Sequence, residues 1–332
     1  MPLKLPTFSD EEQVTFYPAY GYWDGTNWKV PLRAWVHEPR ALVENVIARV
    51  AKSLGGLDAA EIANFKTRLA DFVADDESGE KVVFKFDQDP DGEEYRVQAA
   101  DGGFPDSEWN GLIEGFITLP EVRVQKLLLS QKSLDNRLTY RAVSPEHRGV
   151  GRIQLLAPQG RSIISDIDDT IKITEILAGA KIVIRNTFFR DFAAVPGMAK
   201  MYRAFKDAAF HYVSGSPYQL FRPLAEFLLK TATGFPEGTF HMKTVRTNLL
   251  SAASWEDLQN LIGEEATFNQ KVAQISEIIT RFPGRKFILI GDSGEKDPEV
   301  YREMQEKFPK QVEEIRLRDL NLARLQGMTI IP

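Results

Sequence analysis

The chain contains no cysteine and only four histidines in 332 residues. Disulfides, zinc–thiolate centres and cysteine-nucleophile mechanisms are thereby excluded. His37, His147, His211 and His241 show no ligand spacing along the chain, and His211 and His241 fall in apolar strand patterns where a core role is expected. No apolar run approaches the length that crosses a bilayer, and the start, Met1-Pro2-Leu3-Lys4-Leu5-Pro6, has no apolar signal core. The expected location is cytoplasmic, at most peripheral at a membrane surface. An excess of positive charge is also missing: residues 1–150 carry 17 Lys+Arg against 25 Asp+Glu, and residues 151–332 carry 24 against 22. No nucleic-acid partner is expected from that balance.

What is present divides into two styles. Residues 1–150 alternate short apolar–polar runs with turn signals, beginning with a hairpin over 12–38 about the turn Asp24-Gly25-Thr26-Asn27. Further strands are expected at 82–86, 95–98, 115–119 and 138–143. Two helices are expected between them, at about 40–75: one with Leu42, Val46 and Val50 on its apolar face, the other with Ile62, Phe65, Leu69 and Phe72 behind a capping box of Asp58 and Glu61. The pattern predicts an antiparallel β-sandwich with a helical insertion. From about residue 151 to 332 the rhythm becomes strand–helix–strand, with strands at 161–166, 210–214, 239–245, 286–291 and 313–317. That predicts an α/β domain with a doubly wound parallel sheet.

The chemistry sits at the ends of two of those strands. Asp166-Ile167-Asp168-Asp169-Thr170 follows one apolar run, and Gly291-Asp292-Ser293-Gly294-Glu295-Lys296-Asp297 follows another. Open α/β sheets bind ligands at the carboxyl ends of their strands. In extended chain, residues two apart share a side, so Asp166 and Asp168 can face one pocket. A carboxylate is ionised at neutral pH and can attack phosphorus without a general base. Asp168 is placed to give and take a proton, Asp292 to complete the shell of a Mg²⁺ ion, and Asp297 to orient water or metal. Ser214, with Ser216 behind it, would donate to a phosphoryl oxygen. A lysine should clamp the phosphorylated aspartate: Lys271 is well placed, and Lys243 is a rival. Asp169 is expected to be structural.

These strings resemble the motifs of the haloacid dehalogenase phosphatases. Asp166-Ile167-Asp168-Asp169-Thr170 matches the first motif, and Ser214, Lys271 and Gly291-Asp292…Asp297 match the other three in order. Tyr212-Val213-Ser214-Gly215-Ser216-Pro217, Arg185-Asn186-Thr187-Phe188 and Val195-Pro196-Gly197-Met198 narrow the likeness. They resemble the actin-patch-associated phosphatidate phosphatase family, in a form like its bacterial relatives. The resemblance implies Asp166 as nucleophile, Asp168 as acid/base and Lys271 as charge clamp. It implies Thr170, Ser214, Gly215 and Ser216 as phosphate ligands, and Asp166, Asp168 and Asp292 around Mg²⁺. The implied reaction is hydrolysis of phosphatidate, or a related lipid phosphate, to diacylglycerol and phosphate through an aspartyl-phosphate. A soluble phosphomonoester and a binding module with an idle catalytic domain are the alternatives.

Other signals carry less. Asp87-Gln88-Asp89-Pro90-Asp91-Gly92 opens like a calcium loop but has Gln98 where the twelfth-position glutamate belongs, so an acidic hairpin turn is expected. Gly149-Val150-Gly151 lacks the third glycine of a dinucleotide fingerprint. Ile182 to Arg190 pairs apolar bulk with cations. It can be read as dipping Phe188 and Phe189 into a lipid surface, or as packing them into the core.

Overall fold

The computed structural model describes residues 12–40, 56–229, 234–244, 265–321 and 328–331. The expected helix from Leu42 lies outside these. The fold divides into two compact units, Met1–Ala41 with Val73–Leu156, and Leu42–Phe72 with Ala157–Pro332.

The first unit holds β1 (Glu12–Phe16), β2 (Ala19–Trp23), β3 (Asn27–Glu38), β4 (Asp75–Asp76), β5 (Phe84–Phe86), β6 (Leu112–Pro120), β7 (Arg137–Ala142), β8 (His147–Arg148) and β9 (Val150–Leu155). They form one sheet in the order β5-β7-β9-β2-β3-β1-β8, with β4 and β6 also on β3. The β2–β3 turn closes because Asp24 Oδ1 accepts the N–H groups of Thr26 and Asn27 at 2.9 and 2.8 Å. Phe16, Phe84 and Tyr140 pack edge-on or tilted in the centre of the core.

The sheet is mixed, which corrects the antiparallel expectation. β8 runs parallel to β1, and β9 runs antiparallel to β7 but parallel to β2. Residues 95–98 make only isolated bridges, Phe84 to Tyr95 and Gln98 to Phe116. The acidic turn is occupied by cations of the unit's own helix, Glu121–Ser130: Arg123 binds Asp89, and Asp91 at 2.7 Å, and Lys126 also binds Asp91.

The second unit holds β10 (Gln159–Ser165), β11 (Ala208–Pro217), β12 (Thr239–Lys243), β13 (Gly284–Asp292), β14 (Val312–Arg318) and β15 (Met328–Ile331). Their order is β12-β11-β10-β13-β14-β15, all parallel except β15, which pairs antiparallel to β14. Ile163, Ile164 and Phe287 to Ile290 are buried, as strands covered on both faces require. β11 and β12 lie to one side of β10 and β13 and β14 to the other, so the chain order reverses there. Helices Phe221–Leu229, Glu265–Arg281 and Asp297–Lys307 follow β11, β12 and β13.

The helix Ala59–Val73 starts at the expected capping box: Asp58 Oδ1 accepts the Glu61 N–H at 2.8 Å, and Glu61 Oε2 accepts the Asp58 N–H at 3.2 Å. Although it lies in sequence between strands of the first sheet, it packs within the second unit, on the segment after the first motif. Phe65 stacks on Phe189 at 4.4 Å, and Phe72 meets Phe188 edge-on at 5.6 Å. Arg68 donates to the carbonyls of Thr187 and Arg190 at 3.0 and 2.7 Å. Phe188 and Phe189 are both 0% exposed, and Arg185 donates to Glu61 at 2.7 Å. The phenylalanines of this segment are therefore core, and the lipid-dipping reading is withdrawn. The backbone here runs from the helix Ala180–Ile184 into a π-helical turn over Arg185–Phe189.

Candidate active site

Register places the two acidic strings side by side. Ser165 of β10 lies opposite Ile290 of β13, and the Asp166 N–H donates to the Ile290 carbonyl at 2.9 Å. Asp166 and Asp292 therefore emerge from neighbouring strand ends. Ile167 between Asp166 and Asp168 is 0% exposed and points into the core.

Asp168 is surrounded by donors. Its Oδ1 accepts from Thr174 Oγ1 and Lys172 Nζ, each at 2.7 Å. Its Oδ2 accepts from Ser216 Oγ at 2.9 Å and Ser214 Oγ at 3.3 Å. Burial pushes this carboxyl up, but the Lys172 charge and these hydrogen bonds outweigh it and bring it to about 2. Asp169 shapes the loop. It sits at φ +53°, and its carboxylate accepts the N–H groups of Thr174, Glu175 and Ile176 at 2.8, 2.8 and 2.6 Å. These contacts brace the loop, and Arg318 donates to the Asp169 carbonyl.

A second cluster surrounds Lys271, which the helix Glu265–Arg281 carries into the site. Lys271 Nζ donates to Asp166 Oδ1 at 2.8 Å, Asp297 Oδ1 at 2.7 Å and Glu295 Oε2 at 3.0 Å. It is this lysine, not Lys243 on β12, that holds Asp166. Asp292 adds a fourth carboxylate; its Oδ1 accepts the Gly294 N–H at 2.6 Å and its Oδ2 faces Thr170 Oγ1 at 3.4 Å. One ammonium group cannot neutralise four carboxylates. Burial, opposed by Lys271 and reinforced by the neighbouring acids, holds Asp166 well above the usual carboxylate range. Burial, with the charges of Asp297 and Glu295, pushes Asp292 up to about 8. Burial pulls Lys271 down, but the three carboxylates override it and raise the group well above its ordinary value.

The excess of negative charge is what a divalent cation relieves. Asp166, Asp292 and Asp297 each offer an oxygen, all within 4.8 Å of one another. Asp166 Oδ2 is buried without a hydrogen-bond partner among the described residues. The residues fit a hard cation such as Mg²⁺. Asp168 turns its carboxylate away toward Lys172, so it can reach such an ion only through its backbone.

Two glycines allow this packing. A Cβ on Gly215 would come within 2.8 Å of Thr267 Cγ2, and one on Gly291 within 2.2 Å of Asp297 Oδ2. Beside Asp168 lies a pocket whose apolar wall includes Ile176, Val183, Phe188 and Leu220. Sequence reasoning gave no role to Lys172, Thr174 or Glu295. The four-residue spacing from Asp168 to Lys172 was the one available signal.

Residues 161–319 match the family described as the catalytic domain of phosphatidate phosphatase APP1. The chain is 34% identical over 168 residues to the phosphatidate phosphatase APP1 of Saccharomyces cerevisiae, covering 49% of this chain and 26% of that protein. It is 30% identical over 177 residues to an uncharacterized protein of Schizosaccharomyces pombe, covering 52% of this chain and 27% of that one. The chain thus spans about a quarter of the length of either relative. The structure of the ferredoxin reductase in carbazole 1,9a-dioxygenase aligns over 92% of this chain and 69% of that one with a TM-score of 0.21 and 10% identity, too little to relate the folds.

Proposed function

Given that residues 161–319 belong to the phosphatidate phosphatase APP1 catalytic-domain family, we propose that the protein is a Mg²⁺-dependent phosphatase. Its preferred substrate is phosphatidate, hydrolysed to diacylglycerol and phosphate. The carrying observation is Asp166: one carboxylate oxygen is fixed by Lys271, and the other is buried at the end of β10 without a partner among the described residues. The reversal of strand order about β10 supports the haloacid dehalogenase-type, doubly wound reading.

In the first half-reaction an Asp166 oxygen attacks phosphorus, the bond from phosphorus to the alcohol oxygen breaks, and the alcohol leaves with a proton from Asp168. In the second, water attacks the aspartyl-phosphate, its proton goes to Asp168, and the bond between Asp166 and phosphorus breaks. Asp168 rests ionised beside Lys172, which suits the second step. An anionic phosphate arriving next to it raises its proton affinity, which suits the first. Ser214, Ser216 and the Gly215 backbone receive the phosphoryl oxygens, and Lys271 holds charge on Asp166. Asp166, Asp292 and the Asp168 carbonyl, with Asp297 in reserve, would hold Mg²⁺. When bound, that ion neutralises the repulsion between carboxylate and phosphate.

The pocket beside Asp168 is lined by apolar and polar residues alike, among them Ile176, Pro217, Thr174 and Ser216, and the preference for a lipid alcohol rests on the family match. Among the described residues no helix is long and apolar enough to cross a membrane, and a lipid substrate would be met at the membrane surface. The test is release of phosphate from phosphatidate vesicles beside a panel of soluble phosphate esters, all with Mg²⁺. Turnover of a soluble ester alone would transfer the assignment to that class, and no release from any would end it.

A further inference from the structure

Outside the residues that match the phosphatase family, three side chains of the first unit converge at one edge of its sheet. The parallel pairing of β1 with β8 sets Glu12 beside His147, and Glu80 joins them from the segment before β5. Each offers one ligand atom, all within 4.8 Å of one another.

His147 is 2% exposed, and its Nδ1 lies 2.8 Å from Ser144 Oγ. That hydroxyl accepts the Val83 N–H at 3.1 Å and turns its own proton toward the Val83 carbonyl at 3.5 Å. In this arrangement the hydroxyl is free to accept Nδ1–H, and the tautomer that does so presents a lone pair on Nε2. Nε2 faces Glu12 Oε2 at 2.9 Å and Glu80 Oε2 at 3.3 Å. A lone pair against two carboxylates calls for a cation among them, a metal ion or a proton on Nε2. Among the described residues neither Nε2 nor Glu12 Oε2 has a well-aligned hydrogen bond, which favours the metal. The spacing instead matches ligands of one ion, because donors about 2.1 Å from a metal stand roughly 3.0–3.4 Å apart.

We propose that Glu12, Glu80 and His147 form a second divalent-metal site, independent of the phosphatase centre. One imidazole nitrogen and two carboxylates select a first-row ion of the zinc class over Mg²⁺, which prefers oxygen. Ser144 orients the ring from behind, as outer partners of metal-bound histidines do. The ion clips β1 and β8 to the segment before β5 and has a structural role.

The test uses the full chain, stripped with chelator and kept in excess Mg²⁺ so that the Asp166 cluster is filled. Zn²⁺ is titrated by calorimetry, and retained zinc is counted by elemental analysis. The wild-type chain should retain one zinc more than His147→Gln. Glu80→Gln, at a half-buried position that leaves the core intact, should bind that zinc at least about tenfold more weakly. Co²⁺ should give the wild type a d–d absorption that His147→Gln lacks. If His147→Gln does not fold, Glu80→Gln decides the matter alone. Equal zinc uptake by the wild type and Glu80→Gln overturns the proposal. So does a site where no zinc binds and His147→Gln alters only the pH dependence of unfolding, since a proton then fills the gap.

Discussion

Lys271 Nζ stands 2.8 Å from Asp166 Oδ1, with both side chains 1% exposed. A buried ion pair at the end of a central strand is costly to assemble, and its stability depends on both partners staying charged. The same lysine binds Asp297 and Glu295, so its removal strands three acids at once.

Lys271→Met is therefore expected to lose activity and also to lose about 3–5 kcal/mol of stability, read from urea unfolding in metal-free buffer. Lys271→Arg should not restore turnover, because the planar guanidinium cannot reach three carboxylates arranged around a point. Unchanged unfolding in Lys271→Met would contradict the charge-neutralising role.

Asp166→Asn should leave the fold in place and lower kcat by at least about three orders of magnitude. The amide is a poor nucleophile, yet it preserves shape and relieves crowding of negative charge. Circular dichroism and phosphate release report the two halves of this expectation. Near-normal kcat would remove Asp166 from the mechanism.

Metal dependence has its own signature. EDTA should stop turnover and Mg²⁺ restore it, with Ca²⁺ a poor substitute because its looser shell misplaces the attacking oxygen. Mg²⁺ should also raise the melting temperature of the wild type more than that of Asp292→Asn, which has one acid fewer to neutralise. Full activity in chelator would refute this.

Asp71 gives a pH effect away from the site. Burial, only partly offset by Arg222 at 3.2 Å, raises its carboxyl from 3.8 to about 6. The folded chain then keeps a proton that the unfolded chain releases, so stability falls as pH rises through that window and levels off above it. Asp71→Asn should flatten that part of the profile, by about 2–3 kcal/mol between pH 4 and 7. Parallel profiles for the two proteins would refute the shift.

Phe188 and Phe189 pack against Phe72 and Phe65. Phe188→Ser with Phe189→Ser should lower stability by at least about 3 kcal/mol. Turnover of vesicle phosphatidate and of a soluble ester should fall together. Selective loss of vesicle turnover at unchanged stability would revive the membrane-dipping reading.

Strand ends were the most legible part of the chain. β10 and β13 are apolar runs that stop abruptly at aspartate, and that contrast survives without any tertiary information. The capping box of Asp58 and Glu61 was legible too, because it is local. What helix Ala59–Val73 packs on was not, since its amphipathic face fits any apolar surface. Glu295 and Lys172 were hidden for a related reason. A charged residue in a loop looks solvated until the fold buries it, and Lys172 is 1% exposed. The parallel strands of the first unit were misread because alternation reports one buried face and says nothing of strand direction.

That helix also has a history during synthesis. Arg68 waits for the carbonyl of Thr187, which leaves the ribosome 119 residues later. Until then the apolar stripe of Phe65, Leu69 and Phe72 has no surface of its own to cover. The nascent chain must carry it exposed while the strands of the first sheet, made in the interval, find one another. The second unit is thus begun before the first is finished, and completed only after it. A ribosome stalled after Leu155 has emerged and before Thr187 has would hold a complete first sheet and an orphaned helix, the kind of intermediate that a chaperone binds.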